Sequence, residues 1–83
     1  MKLGVVGIII EGDRKIATSV NGILSDYGDL IIGRIGIPSR EDEIYLISVA
    51  VKGTAERISA MTGKIGRLGG VKIKSAVSDV DID

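Results

Sequence analysis

Two segments of the chain carry apolar residues at almost every position. In residues 1–10 and 43–51, the odd-numbered and the even-numbered positions, which point to opposite faces of a strand, are both mostly apolar or glycine. This pattern is typical of strands in a sheet that is covered on both faces. A chain of 83 residues has room for only two helices, which cover one face. We therefore expect a second copy of the chain to cover the other face.

The remaining pattern predicts two helices among four strands. Apolar residues at helical spacing follow Asp13, which is suited to cap the first helix, and Gly28 is placed to end that helix in a left-handed conformation. Thr54 caps the second helix, which Gly69 and Gly70 end. The predicted strands are 2–10, 29–37, 43–51 and 71–77, with a polar turn at 38–42 and an acidic tail at 78–83 that has the alternation of a short extra edge strand.

The two halves of the chain resemble each other. A shift of 42 residues places Val5 on Ile47 and Gly28 on Gly70, and other apolar positions coincide as well. The element order β-α-β-β-α-β predicts an α+β, ferredoxin-like sandwich in which a four-stranded antiparallel sheet carries two helices on one face. Right-handed crossovers place the first and third strands in the centre of the sheet. We expect a single domain over residues 1–83.

The same shift assigns the strand residues to the two faces of the sheet. We expect the face under the helices to hold Val5, Ile9, Ile31, Ile35, Ile47, Val51, Val71 and Ile73. We expect the open face, and with it an oligomer interface, to hold Val6, Ile8, Ile10, Leu30, Ile32, Ile44 and Leu46. Arg34, Lys72 and Lys74 are expected on the open face as a polar rim. A slip of one residue in register exchanges the two sets, so the opposite assignment stays open.

Composition excludes several classes of function. The chain has no His and no Cys, so we expect no soft metal site, no cofactor ligated by these residues and no thiol or imidazole catalyst. It has no Phe and no Trp, and its 11 basic residues are balanced by 11 acidic ones, which argues against a nucleic-acid partner. The apolar run at 3–10 is short and broken by glycines, so we expect neither a signal peptide nor a membrane span, and a cytoplasmic location follows.

Two places in the sequence suit a small ligand. Gly12 and Asp13 join the first strand to the first helix, where glycine permits close approach and a helix N-terminus favours anions. Arg34 lies between Gly33 and Gly36, which indicate a bulge, and its guanidinium suits a carboxylate or phosphate. The alternatives are a tight turn with a helix cap at the first place and a salt bridge between subunits at the second.

Four segments together resemble a known family. Residues 20–21, 33–38, 62–68 and 71–75 are similar to those of small regulators of iron-only hydrogenase systems, and the Gly-Arg-Ile-Gly-Ile-Pro run at 33–38 is the most specific. The resemblance implies a stand-alone ACT-like domain, similar to the effector domain of nickel-responsive repressors. It brings no established ligand and no catalytic residue. The nickel site of those repressors needs His and Cys, so nickel sensing is not implied here.

Three functions follow as hypotheses. The first is a non-enzymatic regulatory module that forms a dimer or tetramer, binds a small effector and acts through a partner protein. The second is an assembly module without a ligand. The third is an acylphosphatase-like hydrolase, for which Arg14 follows the first strand, but Asn21 lies on the first helix instead of a strand and Glu11 and Asp13 would repel a phosphate.

Overall fold

The computed structural model describes residues 1–39 and 41–82 and has the predicted ferredoxin-like fold. Arg40, in the predicted turn, and Asp83, in the predicted tail, lie outside the described residues. The elements in chain order are β1 (Lys2–Glu11), α1 (Arg14–Asp26), a short 3-10 helix (Gly28–Leu30), β2 (Ile31–Ser39), β3 (Ile44–Gly53), α2 (Ala55–Gly66) and β4 (Val71–Val77). The strand order is β2-β3-β1-β4 with every neighbouring pair antiparallel, so the prediction that β1 and β3 are central is confirmed.

Both predicted helix caps are present. The Asp13 side chain accepts a hydrogen bond from the backbone N–H of Lys15 at 2.9 Å, and the Thr54 hydroxyl oxygen accepts one from the backbone N–H of Arg57 at 3.2 Å. These bonds satisfy backbone donors that have no partner within the first turn of a helix. The caps therefore fix where α1 and α2 begin.

Two expectations about the connection from α1 to β2 and about the end of β2 are wrong. Gly28 does not end α1 in a left-handed conformation, because the helix ends at Asp26 and Gly28 begins the 3-10 helix. Pro38 lies within β2 and not in a turn. Proline is tolerated there because β2 is an edge strand, where a backbone N–H on the outer side makes no hydrogen bond to another strand. The expected bulge is found between Ile31 and Gly33.

The core lies between the sheet and the two helices. It joins residues from β1 and β3 to residues from both helices and the 3-10 helix. The buried apolar residues are Val6, Ile8, Ile10, Val20, Leu24, Leu30, Ile47, Val49, Val51, Ile58, Met61 and Ile65. Ile31, Val71 and Ile73 are partly buried against this core, as predicted for the helix-covered face.

The predicted faces of β1 are exchanged in the structure. Val6, Ile8 and Ile10 point under the helices and are buried, whereas Val5 is 54% and Ile9 38% exposed on the open face. The cause is an error of one residue in the length assigned to the internal repeat. A shift of 41 residues, not 42, places the buried positions of β1 on those of β3 and the Asp13 cap on Thr54. An error of one residue turns every side chain of a strand to the other face.

Three further face assignments are wrong. Leu30 is buried in the 3-10 helix and does not lie on the open face. Ile35 was expected under the helices but is 64% exposed, and it pairs with Ser48 on the open face. Arg34 pairs with Val49, whose side chain is buried under the helices, so Arg34 lies on the helix side of the sheet. The bulge adds one residue to β2, so the residues beyond it point to the faces opposite to those expected. This is why Ile35 and Arg34 were misassigned.

Other assignments to the open face are confirmed. Lys72 pairs with Ile9 and Lys74 with Gly7, so both lysines lie on the open face. Leu46 pairs with Ile9 on the same face, and Ile44 follows two residues earlier on the same side of β3. The assignment of Ile32 to the open face stays a prediction, because Ile32 is exposed in the bulge, outside the register of β2 with β3.

The tail of the chain runs beside the start of β1. The N–H of Ser78 donates to the carbonyl of Leu3 at 2.7 Å, and the N–H of Ile82 donates to the carbonyl of Met1 at 2.8 Å. Residues 78–82 form no further strand, contrary to the expectation for this segment. None of the helices in residues 1–39 and 41–82 is both long enough and apolar enough to span a bilayer.

Candidate functional site

One end of the sheet forms a cleft where the β1–α1 turn and the start of α1 meet the end of β2 and the start of β3. The chain turns from β1 into α1 at Gly12, whose φ is +108°, and the N–H of Gly12 points at the carbonyl oxygen of Glu43, 3.5 Å away. Glu43 itself has a φ of +54° as it leads into β3. The resulting cleft has a volume of about 880 Å³ and is lined by Ile10, Gly12, Asp13, Arg14, Ala17, Pro38, Ser39, Glu43, Ile44 and Tyr45.

The lining of this corner cleft is mixed in charge. Asp13 and Glu43 contribute carboxylates, Arg14 a guanidinium and Tyr45 a phenol. The Asp13 carboxylate is already engaged as the cap of α1. Ser39 donates a hydrogen bond to Asp42 at 2.8 Å, which holds the end of β2 in place. A lining of this kind suits a small polar molecule that carries both acidic and basic groups better than a simple anion.

The structure separates the three residues that the sequence singled out for ligand binding. Gly12 and Asp13 line the corner cleft together. Arg34 does not line it, because its guanidinium donates a hydrogen bond to the side-chain oxygen of Asn21 on α1. Arg34 therefore links the edge strand to the helix layer. Asn21, which the hydrolase hypothesis would need to position water, is occupied by the same contact.

Sequence reasoning missed most of the other side of the cleft. Ser39 reaches it from the end of β2, Glu43 from the turn before β3 and Tyr45 from β3, all more than 25 residues along the chain from Gly12. Sequence alone does not show that the β2–β3 connection folds back over the start of α1. The signal that was present is Pro38, because proline marks the end of a regular edge strand.

A second concave surface lies on the open face of the sheet. It has a volume of about 740 Å³, and its apolar lining includes Ile9, Ile35, Ile37 and Leu46. Gly7 and Ser48 lie opposite each other in the centre and leave a trough between these side chains. Lys72 and Lys74 line one side. We call this surface the open-face groove.

A charged cluster ties the 3-10 helix to α2. Arg57 forms an ion pair with Asp29 and lies 5.6 Å from the centre of the Tyr27 ring, while the Lys64 ammonium lies 5.1 Å from the same ring. The hydrogen bond from Arg57 lowers the pKa of Asp29 below its ordinary value, because it favours the charged carboxylate. The cluster is exposed and lines neither the corner cleft nor the open-face groove.

Acidic side chains do not gather into a metal site within the described part of the chain. Residues 1–39 and 41–82 contain no group of three or more Asp and Glu side chains that could hold an ion. The corner cleft and the open-face groove are two candidates for binding.

Comparison with solved structures identifies the fold of the chain. The uncharacterized protein TM1266 from Thermotoga maritima superposes with a TM-score of 0.89 at 29% identity, over 93% of this chain and 98% of that one. The ACT domain from the GTP pyrophosphokinase of Chlorobium tepidum superposes with a TM-score of 0.69 at 15% identity, over 98% and 91%. An ACT domain protein from Streptococcus pneumoniae gives 0.61 at 17% identity, over 92% and 89%. The fold is therefore ACT-like, as the resemblance implied.

The sequence comparisons give the family. A search of curated proteins finds no match. The family model "TM1266-like: Iron-only hydrogenase system regulator, putative" matches residues 2–75, which is most of the chain. The chain thus belongs to the TM1266-like family that this model describes.

Proposed function

We propose that this chain is a non-enzymatic regulatory module that self-associates through the open face of its sheet and binds a small polar effector in the corner cleft. Membership of a regulator family and the ACT-like fold support the regulatory role. The hydrogen bond from Arg34 to Asn21 argues against the hydrolase alternative, because that mechanism would need an Asn side chain to position water.

The exposed open face carries the proposal. Large apolar side chains from β1, β2 and β3 lie on it and are uncovered by either helix: Leu3, Val5, Ile9, Ile35, Ile37 and Leu46. Burying one such side chain completely contributes about 1.5–3 kcal/mol. A second copy that covers several of them would offset the cost of association, which is of order 4–15 kcal/mol. Contiguous apolar surfaces of this kind mark interaction sites.

The interface predicted from the sequence changes accordingly. Val6, Ile8, Ile10 and Leu30 are buried in the core of the same chain, so their side chains are not available to a second copy. Leu46 remains in the proposed interface, as does Ile44 at its border. Ile9 and Val5 take the place of the residues of β1 that were first assigned to it.

The corner cleft supplies the regulatory input in this proposal. Gly12 and Glu43 form its rim. Both residues have a positive φ, a backbone conformation that β-strands do not adopt. An effector that binds one assembly state better than another shifts the population toward that state. The assembly state would then be the signal passed to a partner protein.

The assembly is tested by replacing a residue that lines the open-face groove. Leu46 is 41% exposed there, and a lysine in its place would add an unpaired charge to the interface. We expect native mass spectrometry to give a dimer or tetramer for the wild type and a folded monomer for Leu46→Lys. Val80→Lys is the matched control, since Val80 is 70% exposed in the tail, away from the groove.

Two results would contradict the assembly. One is a wild-type protein that stays monomeric at micromolar concentration. The other is a Leu46→Lys variant whose assembly matches that of the wild type. Circular dichroism on each variant separates loss of assembly from loss of folding.

A further inference from the structure

The residues of the open face lie in rows that cross the four strands. From β2 to β4, the middle row consists of Ile35, Ser48, Gly7 and Lys74. The row beside it consists of Ile37, Leu46, Ile9 and Lys72. Both rows begin with an aliphatic side chain on β2 and end with a lysine on β4, but only the middle row has small residues between these ends.

Gly7 keeps the middle row open, although the fold of the single chain does not require glycine there. Within 4 Å, a Cβ added at Gly7 would contact only the carbonyl oxygen of Lys74, at the ordinary contact distance of 3.9 Å. The φ of Gly7 is not positive, so its backbone suits other residues as well. Glycine weakens a strand and often marks a place where a ligand approaches closely. The missing side chain, opposite the small Ser48, makes the floor of the open-face groove.

The groove has the dimensions of a site for one extended chain. Four strands about 4.8 Å apart give it a length of about 14 Å across the sheet. Its volume of about 740 Å³ lies within the range of small-molecule sites. Ile37, Leu46 and Ile9 line it along one row, and Ile35 lies at the end on β2. An unbranched hydrocarbon chain would contact apolar side chains along this length.

The other end of the groove is positively charged. Lys72 and Lys74 are the charged residues among those that line it. Residues two apart on a strand point to the same face and lie about 6.7 Å apart, so the two ammonium groups can reach one carboxylate. Within residues 1–39 and 41–82 neither lysine forms an ion pair. Glu11, at the end of β1, does not line the groove.

We propose that the open-face groove binds a free straight-chain carboxylate, with its hydrocarbon chain along the middle row and its carboxylate between Lys72 and Lys74. Charge complementarity selects this occupant. A neutral hydrocarbon would leave both lysines without a partner, and a short polar anion would leave the apolar side chains uncovered. A bilayer surface fits less well, since the lysines lie at one end of the groove and do not surround the apolar face.

The site shares its surface with the proposed assembly. A bound chain covers Leu46 and Ile9, which a second copy would otherwise cover, so the two occupants exclude each other. The carboxylate therefore shifts the population toward the unassembled chain. Binding in the groove does not itself require assembly, so this inference is independent of the proposed function.

Isothermal titration calorimetry with hexanoate, octanoate and decanoate, each below its micelle concentration, tests the site. We expect each added methylene to tighten binding about fourfold until the chain fills the groove. Octanol, which has the same chain as octanoate without the charge, should bind about tenfold more weakly than octanoate. Native mass spectrometry of the same samples measures the bound mass and the oligomeric state together.

Two substitutions, each with a matched control, locate the site. Gly7→Val fills the floor and should weaken octanoate binding at least tenfold, whereas Ala76→Val adds bulk to the same face outside the groove and should not. Lys74→Gln should weaken octanoate binding about tenfold and leave octanol binding unchanged. Lys52→Gln removes a charge from the same face outside the groove and should affect neither ligand. All four residues lie on the open face away from the core, so the variants are expected to fold.

The outcomes separate this site from the proposed assembly. A wild type that stays monomeric but binds octanoate with this dependence on chain length and on Gly7 would overturn the assembly and support the site. An assembled wild type that binds none of the carboxylates would overturn the site and support the assembly. Binding that Gly7→Val and Lys74→Gln leave unchanged would overturn the site, as would binding to vesicles containing phosphatidylglycerol without binding to the free acids.

Discussion

At the scale of single residues, Gly70 illustrates how the junction between α2 and β4 depends on one missing side chain. Its φ is +83°, and a Cβ there would lie 2.6 Å from the carbonyl oxygen of Glu11. The carbonyl of Gly70 also accepts a hydrogen bond of 2.8 Å from the N–H of Glu11. The close approach of these two backbones fixes the start of β4 against the end of β1, next to the corner cleft.

We therefore expect Gly70→Ala to lower the free energy of unfolding by about 1–3 kcal/mol, through backbone strain and the steric clash. Urea unfolding monitored by circular dichroism measures the change. Gly69→Ala is the matched control, since nothing lies within 4 Å of the added Cβ and its φ is not positive. It should change the stability by less than about 0.5 kcal/mol. Equal effects of the two substitutions would contradict the explanation.

At the scale of elements, the Arg57–Asp29 pair joins α2 to the 3-10 helix that precedes β2. The hydrogen bond from Arg57 lowers the pKa of Asp29 in the folded state, whereas the unfolded chain has the ordinary value of about 3.9. The contribution of the pair to stability is therefore fully present above the ordinary pKa. It is lost as the pH falls through the lowered folded-state pKa.

Arg57→Gln should return the pKa of Asp29 toward its ordinary value, because the charge and the paired donors are lost. Carboxyl titration followed by NMR measures this pKa directly. Arg67→Gln, which removes a guanidinium just beyond the end of α2, should leave it unchanged. An unchanged pKa in Arg57→Gln would show that the ion pair does not persist in solution.

The elements also show what the sequence could and could not predict. The type and order of the helices and strands followed from periodicity and from the Asp13 and Thr54 caps, because these signals are local. The face of β1 did not follow, since Val5 and Ile9 are as apolar as Val6 and Ile8, and alternation carries no information in such a strand. Only the repeat could decide, and Ile47 fits both Val5 at a shift of 42 and Val6 at 41.

The corner cleft was predictable in part for a similar reason. Gly12 and Asp13 are adjacent in the chain and signal a turn before a helix. Glu43 and Tyr45 reach the same cleft because β3 pairs with β1, with Tyr45 opposite Ile10. That contact depends on the register of two distant strands, which the sequence leaves open when both strands are apolar on each side.

At the scale of the whole molecule, the corner cleft and the proposed assembly surface lie on one small sheet, so that binding at one can affect the other. Ile44 lines the corner cleft, and Leu46, two residues along β3, lies in the open-face groove. A ligand that orders the start of β3 would therefore act on a strand that contributes to the proposed interface. This is a short physical path between an effector and the assembly state.

A small metabolite that binds the corner cleft should raise the melting temperature and change the oligomer distribution in the same titration, since ligands stabilise the state to which they bind. A thermal-shift screen of amino acids and nucleotides, followed by native mass spectrometry, tests this. Arg14→Ala should weaken the effect, and Lys15→Ala, which does not line the cleft, should preserve it. No response across the panel would favour an assembly module without an effector.

The lysines of β4 have a consequence for the size that an assembly can reach. Lysines on an edge strand oppose its pairing with a further strand, so the β4 edge is protected against the addition of another chain. If β4 lacked lysine as β2 does, neither edge of the sheet would have this protection, and sheets could join edge to edge into an open ribbon of the kind that forms fibres. Lys72 and Lys74 would then act as terminators of growth. Two side chains outside the core would determine whether the protein forms a closed complex or a polymer.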